Sequence, residues 1–151
     1  MEGSVGSSIA VDTLRGDSFR FEVPVSGTGT TLLSLLIRDG NLYSMGLSLW
    51  AKAGSHIRLT GEDMNIYTWQ VESDVPQQKI WQLFVKDSRP LLNLLQMNSW
   101  EQKKLMRAYK REESKEEKAK MMAMLDSLER IENRLEVRID SNVIERMKQL
   151  P

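Results

Sequence analysis

The chain has 151 residues, with 21 Lys and Arg against 21 Asp and Glu, a single histidine and no cysteine. That length suffices for one ordinary core, or for a small domain with a helical appendage. Balanced charge provides no global field for nucleic acid or an anionic membrane, and neither partner is expected. The absence of cysteine excludes disulfides and thiol chemistry within the chain. With one histidine it also argues against zinc, haem or iron–sulfur sites, so no cofactor is expected.

The opening "MEGSVGSSIAV" lacks the cationic stretch and long apolar run of a signal peptide. No window approaches the roughly 18 uncharged apolar residues of a membrane span. Composition shifts near residue 74, dividing a β-rich segment, 1–73, from a helical arm, 74–151. Strand signals start around Ile9 to Leu14 without a lead-in. "SFRFEVPV" alternates Phe19, Phe21 and Val23 against Ser18, Arg20 and Glu22, as a strand with one buried face does. "SGTGT" reads as a turn or loop, and "TLLSLLI" as a strand buried on both faces. "RDGN" predicts a hairpin turn at Asp39-Gly40. One alternating strand, "LYSMGLSLWA", follows, and Ala53-Gly54-Ser55 turns the chain into "HIRLTG", with Ile57 and Leu59 on one side. "NIYTWQVE" places Tyr67, Trp69 and Val71 opposite Ile66, Thr68 and Gln70. Five or six short strands predict an antiparallel sheet or small sandwich.

From Asp74 the period becomes helical. Asp74 with Gln77 has capping-box spacing, and Pro76 sits in the first turn. Ile80, Phe84, Leu91 and Leu95, supported by Trp81, form a stripe that Pro90 should break or kink at Arg89. Ser99 with Gln102 offers a second cap, and the next helix is expected to run unbroken through the charged middle, Lys110 to Lys120, to Ile139. Asn142 with Glu145 predicts a last short helix through Val143, Met147 and Leu150. Both ends read as cut from something longer. The fold class expected is α+β, a small antiparallel sheet or sandwich followed by a helical segment.

Candidate sites each have a plainer reading. His56, without a second histidine or a cysteine, reads as a strand-edge residue rather than a base or ligand. Glu62 and Asp63 lack the spaced acids of a calcium loop and read as a turn. Tyr67 and Trp69, with Tyr43 and Trp50 nearby, could stack a sugar or peptide, but core packing is the favoured reading. "MMAMLDSL" could be an adaptable docking surface, and burial against a neighbour is favoured. "KREESKEEKAK" interleaves its charges at helical pair spacing and reads as a solvated face rather than a basic patch. No catalytic, cofactor-binding or metal residue is assigned.

"DTLRGDSFRFE" and "AGSHIRLTGEDMNIYTWQVESDVPQQKIWQLFVKDSR" together resemble the N-terminal accessory domain, of unknown function, of TlpA-like thiol–disulfide oxidoreductase lipoproteins of the Bacteroides group. Gly16, Asp17, Phe19 and Phe21 match its "GD-x-F-x-F" strand, and Ala53, Gly54, Ile57, Leu59 and Gly61 its "G-x-I-x-(V/L)-x-G" strand. Val71, Glu72, Ser73, Pro76 and Gln77 match its helix start. The resemblance covers roughly residues 9 to 100. The family's thioredoxin-like domain, its Cys-x-x-Cys pair, the lipid-bearing cysteine and the opening strand are not found here, and Pro90 departs from its pattern. The resemblance therefore implies a non-catalytic accessory or interaction domain in the periplasm or cell envelope, with the C-terminal thioredoxin-like domain or another protein as partner. The alternative is an oligomeric scaffold using Leu125, Leu128, Leu135 and Ile139 as a short coiled-coil seam. A carboxylate enzyme, such as a glycosidase-like module, has only the abundance of acids in its favour.

Overall fold

The computed structural model describes residues 9–149 except 26. The readings that touch Met1–Ser8, Ser26, Leu150 and Pro151 lie outside the described residues. The protein is α+β: β1 (Thr31–Leu35), β2 (Arg38–Asp39), β3 (Leu42–Tyr43), β4 (Leu47–Ala51), β5 (Ile57–Thr60) and β6 (Gln70–Ser73) precede α1 (Pro76–Arg111) and α2 (Lys115–Lys148). The strands form three antiparallel two-stranded ladders, β1–β4, β2–β3 and β5–β6, rather than one sheet. They share a core of Leu47, Leu49, Ile66 and Tyr67, on which Leu33, Leu59 and Val71 pack together with Val85 and Leu92 of α1.

Several expected strands are shortened by side chains that compete for the backbone. The single strand over 42–51 divides at Ser44, which is buried. Its N–H donates to the Ile37 carbonyl and its Oγ accepts from the Ile37 N–H, both at 2.9 Å, and this closes the small β2–β3 hairpin locally. The turn itself falls one residue later than expected. Arg38 pairs with Tyr43 and Asp39 with Leu42, so Gly40 and Asn41 form the loop, and Gly40 takes the positive φ of +56°. "NIYTWQVE" is not one strand, because Ile66–Thr68 is a 3₁₀ turn before β6. Asp63 Oδ1 accepts from Asn65 N at 2.7 Å and Thr68 Oγ1 donates to the Asn65 carbonyl at 2.7 Å, which winds the chain. Adjacent Ile66 and Tyr67 are then both buried, an outcome that strand alternation forbids.

β1 is half-buried on one face only, since its neighbour is β4 alone. Residues 19–25 keep the expected in–out alternation yet join no ladder, and residues 9–14 are largely exposed and outside any strand. The one pairing in this region is the bridge Arg15↔Ser18 around Gly16.

α1 carries two working faces. Gln78, Gln82, Val85, Arg89, Leu92 and Gln96, at alternating steps of four and three, turn toward the strands. Ser88, Leu91, Leu95, Asn98 and Gln102, again at steps of three and four, turn toward α2. Such alternation is the heptad spacing of a coiled-coil seam. α1 is thus the middle layer, with strands on one side and an antiparallel α2 on the other. Of the expected stripe, Leu91 and Leu95 are buried and Phe84 is half-buried, while Ile80 and Trp81, in the first turns of α1, are exposed.

The helix boundaries also differ from expectation. Val75, fully buried, is the N-cap of α1, with Pro76 in the first turn as expected; Asp74 does not cap it. Ser73 Oγ accepts from the Val75 N–H instead. α1 runs through Pro90 without the expected break, and Ser99 and Gln102 lie inside it. A proline there removes one helical bond at a cost of about 3 kcal/mol, which contacts along both faces offset. The real break is Glu112–Ser114, inside the charged run expected to be continuous. Ser114 is the N-cap of α2 and accepts from Glu117 N at 3.4 Å. α2 then continues through Asn142, so no separate last helix forms.

Candidate functional site

The junction between α1 and the strands is built from glutamines. In β4 the Trp50 N–H and Ser48 carbonyl face away from β1. Gln78 receives the first on Oε1 at 2.7 Å and donates Nε2 to the second at 3.4 Å, so its amide stands in for a third strand. About five helical turns further along the same face, Gln96 is fully buried. Its Oε1 accepts from Met45 N at 3.0 Å, while Nε2 donates to the Met64 carbonyl at 3.1 Å and Asn65 Oδ1 at 2.9 Å. Gln82 Nε2 donates to the Val71 carbonyl. Trp100 Nε1 reaches the Tyr43 carbonyl at 3.0 Å, and Arg107 Nη2 the Asn41 carbonyl at 2.6 Å. Buried backbone groups that short ladders leave open must find partners, and one helix supplies them.

Beside this junction lie two open grooves that share Glu101. The smaller, about 380 Å³, runs between the 63–65 loop and Met97 and Trp100 of α1. The larger, about 660 Å³, runs between Leu105 and Ala108 of α1 and Met124 and Leu128 of α2. Both acids on the smaller groove are engaged locally: Asp63 Oδ1 accepts from Asn65 N at 2.7 Å, and Glu101 holds Lys104 Nζ at 3.0 Å.

The residues singled out by sequence are scattered. His56 is exposed beside β5, and Glu62 and Asp63 lie on the exposed turn before the 3₁₀ segment. Tyr67 is in the core, its hydroxyl 3.5 Å from the Gly46 carbonyl and its pKa pushed up by burial. Tyr43 is partly exposed beneath the Arg38 guanidinium, 5.5 Å from its ring centre. The aromatics do not form one platform. Within 121–128, Met121, Leu125 and Leu128 form the expected stripe, Leu125 buried and the other two half-buried, while Met122 and Met124 are exposed. Lys120 pairs with Glu117 at 2.7 Å and Glu116 at 3.1 Å, both exposed, so the charged run is a solvated face interrupted by the interhelical loop. Leu125, Leu128, Leu135 and Ile139, the expected seam, lie on the side of α2 that meets α1. Among the described residues no helix is long and apolar enough to cross a membrane.

Trp69 is where separate stretches of sequence converge. Its indole N–H donates to the Asp63 carbonyl at 2.8 Å. Phe19 packs on it with ring centroids 6.0 Å apart, and Phe21 lies 5.6 Å from Phe19. Gly61, ending the β5 stretch, admits the indole so closely that a Cβ there would sit 2.2 Å from the ring. Glycine is required by that approach. No family model, curated protein or solved structure matches the chain.

Proposed function

We propose that the chain is a non-catalytic accessory or interaction domain, of the kind that precedes the thioredoxin-like domain in envelope thiol–disulfide oxidoreductases. In this reading it works as part of a longer protein of the cell envelope. The observation that carries it is the cluster at Trp69. Phe19 from the "GD-x-F-x-F" stretch and Gly61 from the "G-x-I-x-(V/L)-x-G" stretch meet on one indole, and Phe21 packs on Phe19 behind it. Two stretches chosen for their resemblance, separated along the chain, thus serve one packing unit. Its role is mechanical: the Trp69 cluster secures the leading segment to β5 and β6, and α2 brings the chain back beside Asp87 and Ser88 of α1, from where a following domain would lead.

The test is the intact mass and thiol content of the native protein in its source cell. A species of at least about twice 17.4 kDa, carrying two redox-active thiols, supports the reading. A native protein of this size without thiols refutes it.

A further inference from the structure

Among the described residues the outer edge of β1 pairs with no strand, and its outward groups can be assigned one by one. β1 and β4 pair in the register Leu32↔Trp50 and Ser34↔Ser48. Trp50 N–H and Ser48 C=O turn away from β1, because Gln78 holds both. Residues directly opposite in an antiparallel pair share that orientation, so the N–H and C=O of Leu32 and Ser34 point away from β4. Among the described residues no strand lies on that side. The side chains of Leu32 and Leu36 are 54% and 55% exposed. From Thr30 to Ile37 there is neither a charge nor a proline, two of the devices that ordinarily blunt an edge strand.

Such an edge is completed by an extended backbone, and the pattern of this one matches itself. We infer that β1 pairs antiparallel with β1 of a second copy, with the two-fold axis at Ser34. Ser34 then faces Ser34, and each Leu32 faces Leu36 of the other copy. The outward-pointing groups of Ser34 meet those of its copy as a hydrogen-bonded pair, those of Leu32 face the stretch at Leu36, and each exposed leucine gains an apolar neighbour across the ladder. Centring the pair on Leu33 would instead set Leu32 against Ser34 and Leu36 against Thr30, leaving the leucines without apolar partners across the ladder. This contact is independent of the accessory role proposed above.

Sedimentation equilibrium of the full chain from micromolar to millimolar concentration tests it. The native chain should reach twice 17.4 kDa. Leu32→Lys and Leu36→Glu, both at exposed positions, should each raise the dissociation constant by about tenfold or more while keeping the native circular dichroism. Mixing the two variants should restore a dimer, because the introduced lysine of one copy then faces the introduced glutamate of the other. Amide exchange of the native chain needs no variant: Leu32 and Ser34 should be protected at high concentration and exchange freely on dilution. A native chain that stays monomeric overturns the inference and leaves the edge to a different protein's extended segment. A dimer indifferent to Leu32→Lys, or two monomeric variants that do not recombine, overturns it equally.

Discussion

Gln96→Met tests whether the buried glutamines hold the strands to α1. Methionine keeps the length and flexibility of glutamine but removes both Oε1 and Nε2. The Met45 N–H and the Met64 carbonyl lose their partner, while half-buried Asn65 can turn to water. A stranded buried group costs about 1–3 kcal/mol, so two cost roughly 2–6 kcal/mol. Relief from burying the amide returns about 1–2 kcal/mol. The expected net loss is therefore about 1–4 kcal/mol. For a chain of this length that lowers Tm by roughly 2–15 °C. Urea unfolding followed by far-ultraviolet circular dichroism reads the loss as a lower midpoint at unchanged slope. Gln77→Met, on the exposed side of the same helix, should stay within about 0.5 kcal/mol of the native protein. If Gln96→Met is as benign as Gln77→Met, the reasoning fails.

Ser114→Ala should cost about 1 kcal/mol by removing the N-cap of α2, read from the urea midpoint. Pro90→Ala should stabilise by about 1–3 kcal/mol, because Ala restores an N–H for the Lys86 carbonyl within a helix that is already continuous; a lower Tm would show that the proline geometry is needed. Glu112 accepts from the N–H groups of Ser114 and Glu113, each at 2.9 Å, which holds its pKa below the usual 4.5. With the folded value depressed, its contribution is complete above the unfolded value and fades as pH falls through the folded one. Carboxyl chemical shifts should therefore place Glu112 below the ordinary glutamate value, and Glu112→Gln should flatten the acid limb of stability in that window.

Local signals in the sequence were readable where local chemistry decides the outcome. Pro76 marks a helix start, Gly40 a hairpin, and Ile57 and Leu59 the inward face of β5, because each depends on its own neighbours. The interhelical break carried a signal too, in Ser114 and Glu117 at capping-box spacing, but it lies in a run whose charges favour helix on either side. Gln78 and Gln96 carry no such mark. A glutamine within a helix reads as surface, and only the unpaired groups of β4 and of the 44–46 and 63–65 loops give it a buried task. The two faces of α1 were unequally legible. Phe84, Leu91 and Leu95 of the expected stripe fall in the register that meets α2, whereas the strand-facing side is marked mainly by Gln78, Gln82 and Gln96 and so shows little apolar periodicity.

The polar residues along the helix–helix seam follow from that same layering. Glu132 and Asn142 interrupt the apolar series of α2 and would weaken a coiled coil formed with another copy. Within the hairpin each meets its complement: Glu132 Oε2 accepts from Gln102 Nε2 at 2.6 Å, and Asn142 Nδ2 donates to Ser88 Oγ at 3.4 Å. Asn98 Nδ2 adds a bond to the Leu128 carbonyl at 3.1 Å. Shifting α2 by one turn would part all three at once and bury their groups unpaired, at about 1–3 kcal/mol for each stranded group. Leucine pairs tolerate such a slip, whereas these layers do not. The register of α2 on α1 is accordingly set by its least apolar positions. Because α1 is fixed to the strands through Gln78 and Gln96, the same layers also determine where the returning end of α2 stands relative to the β block.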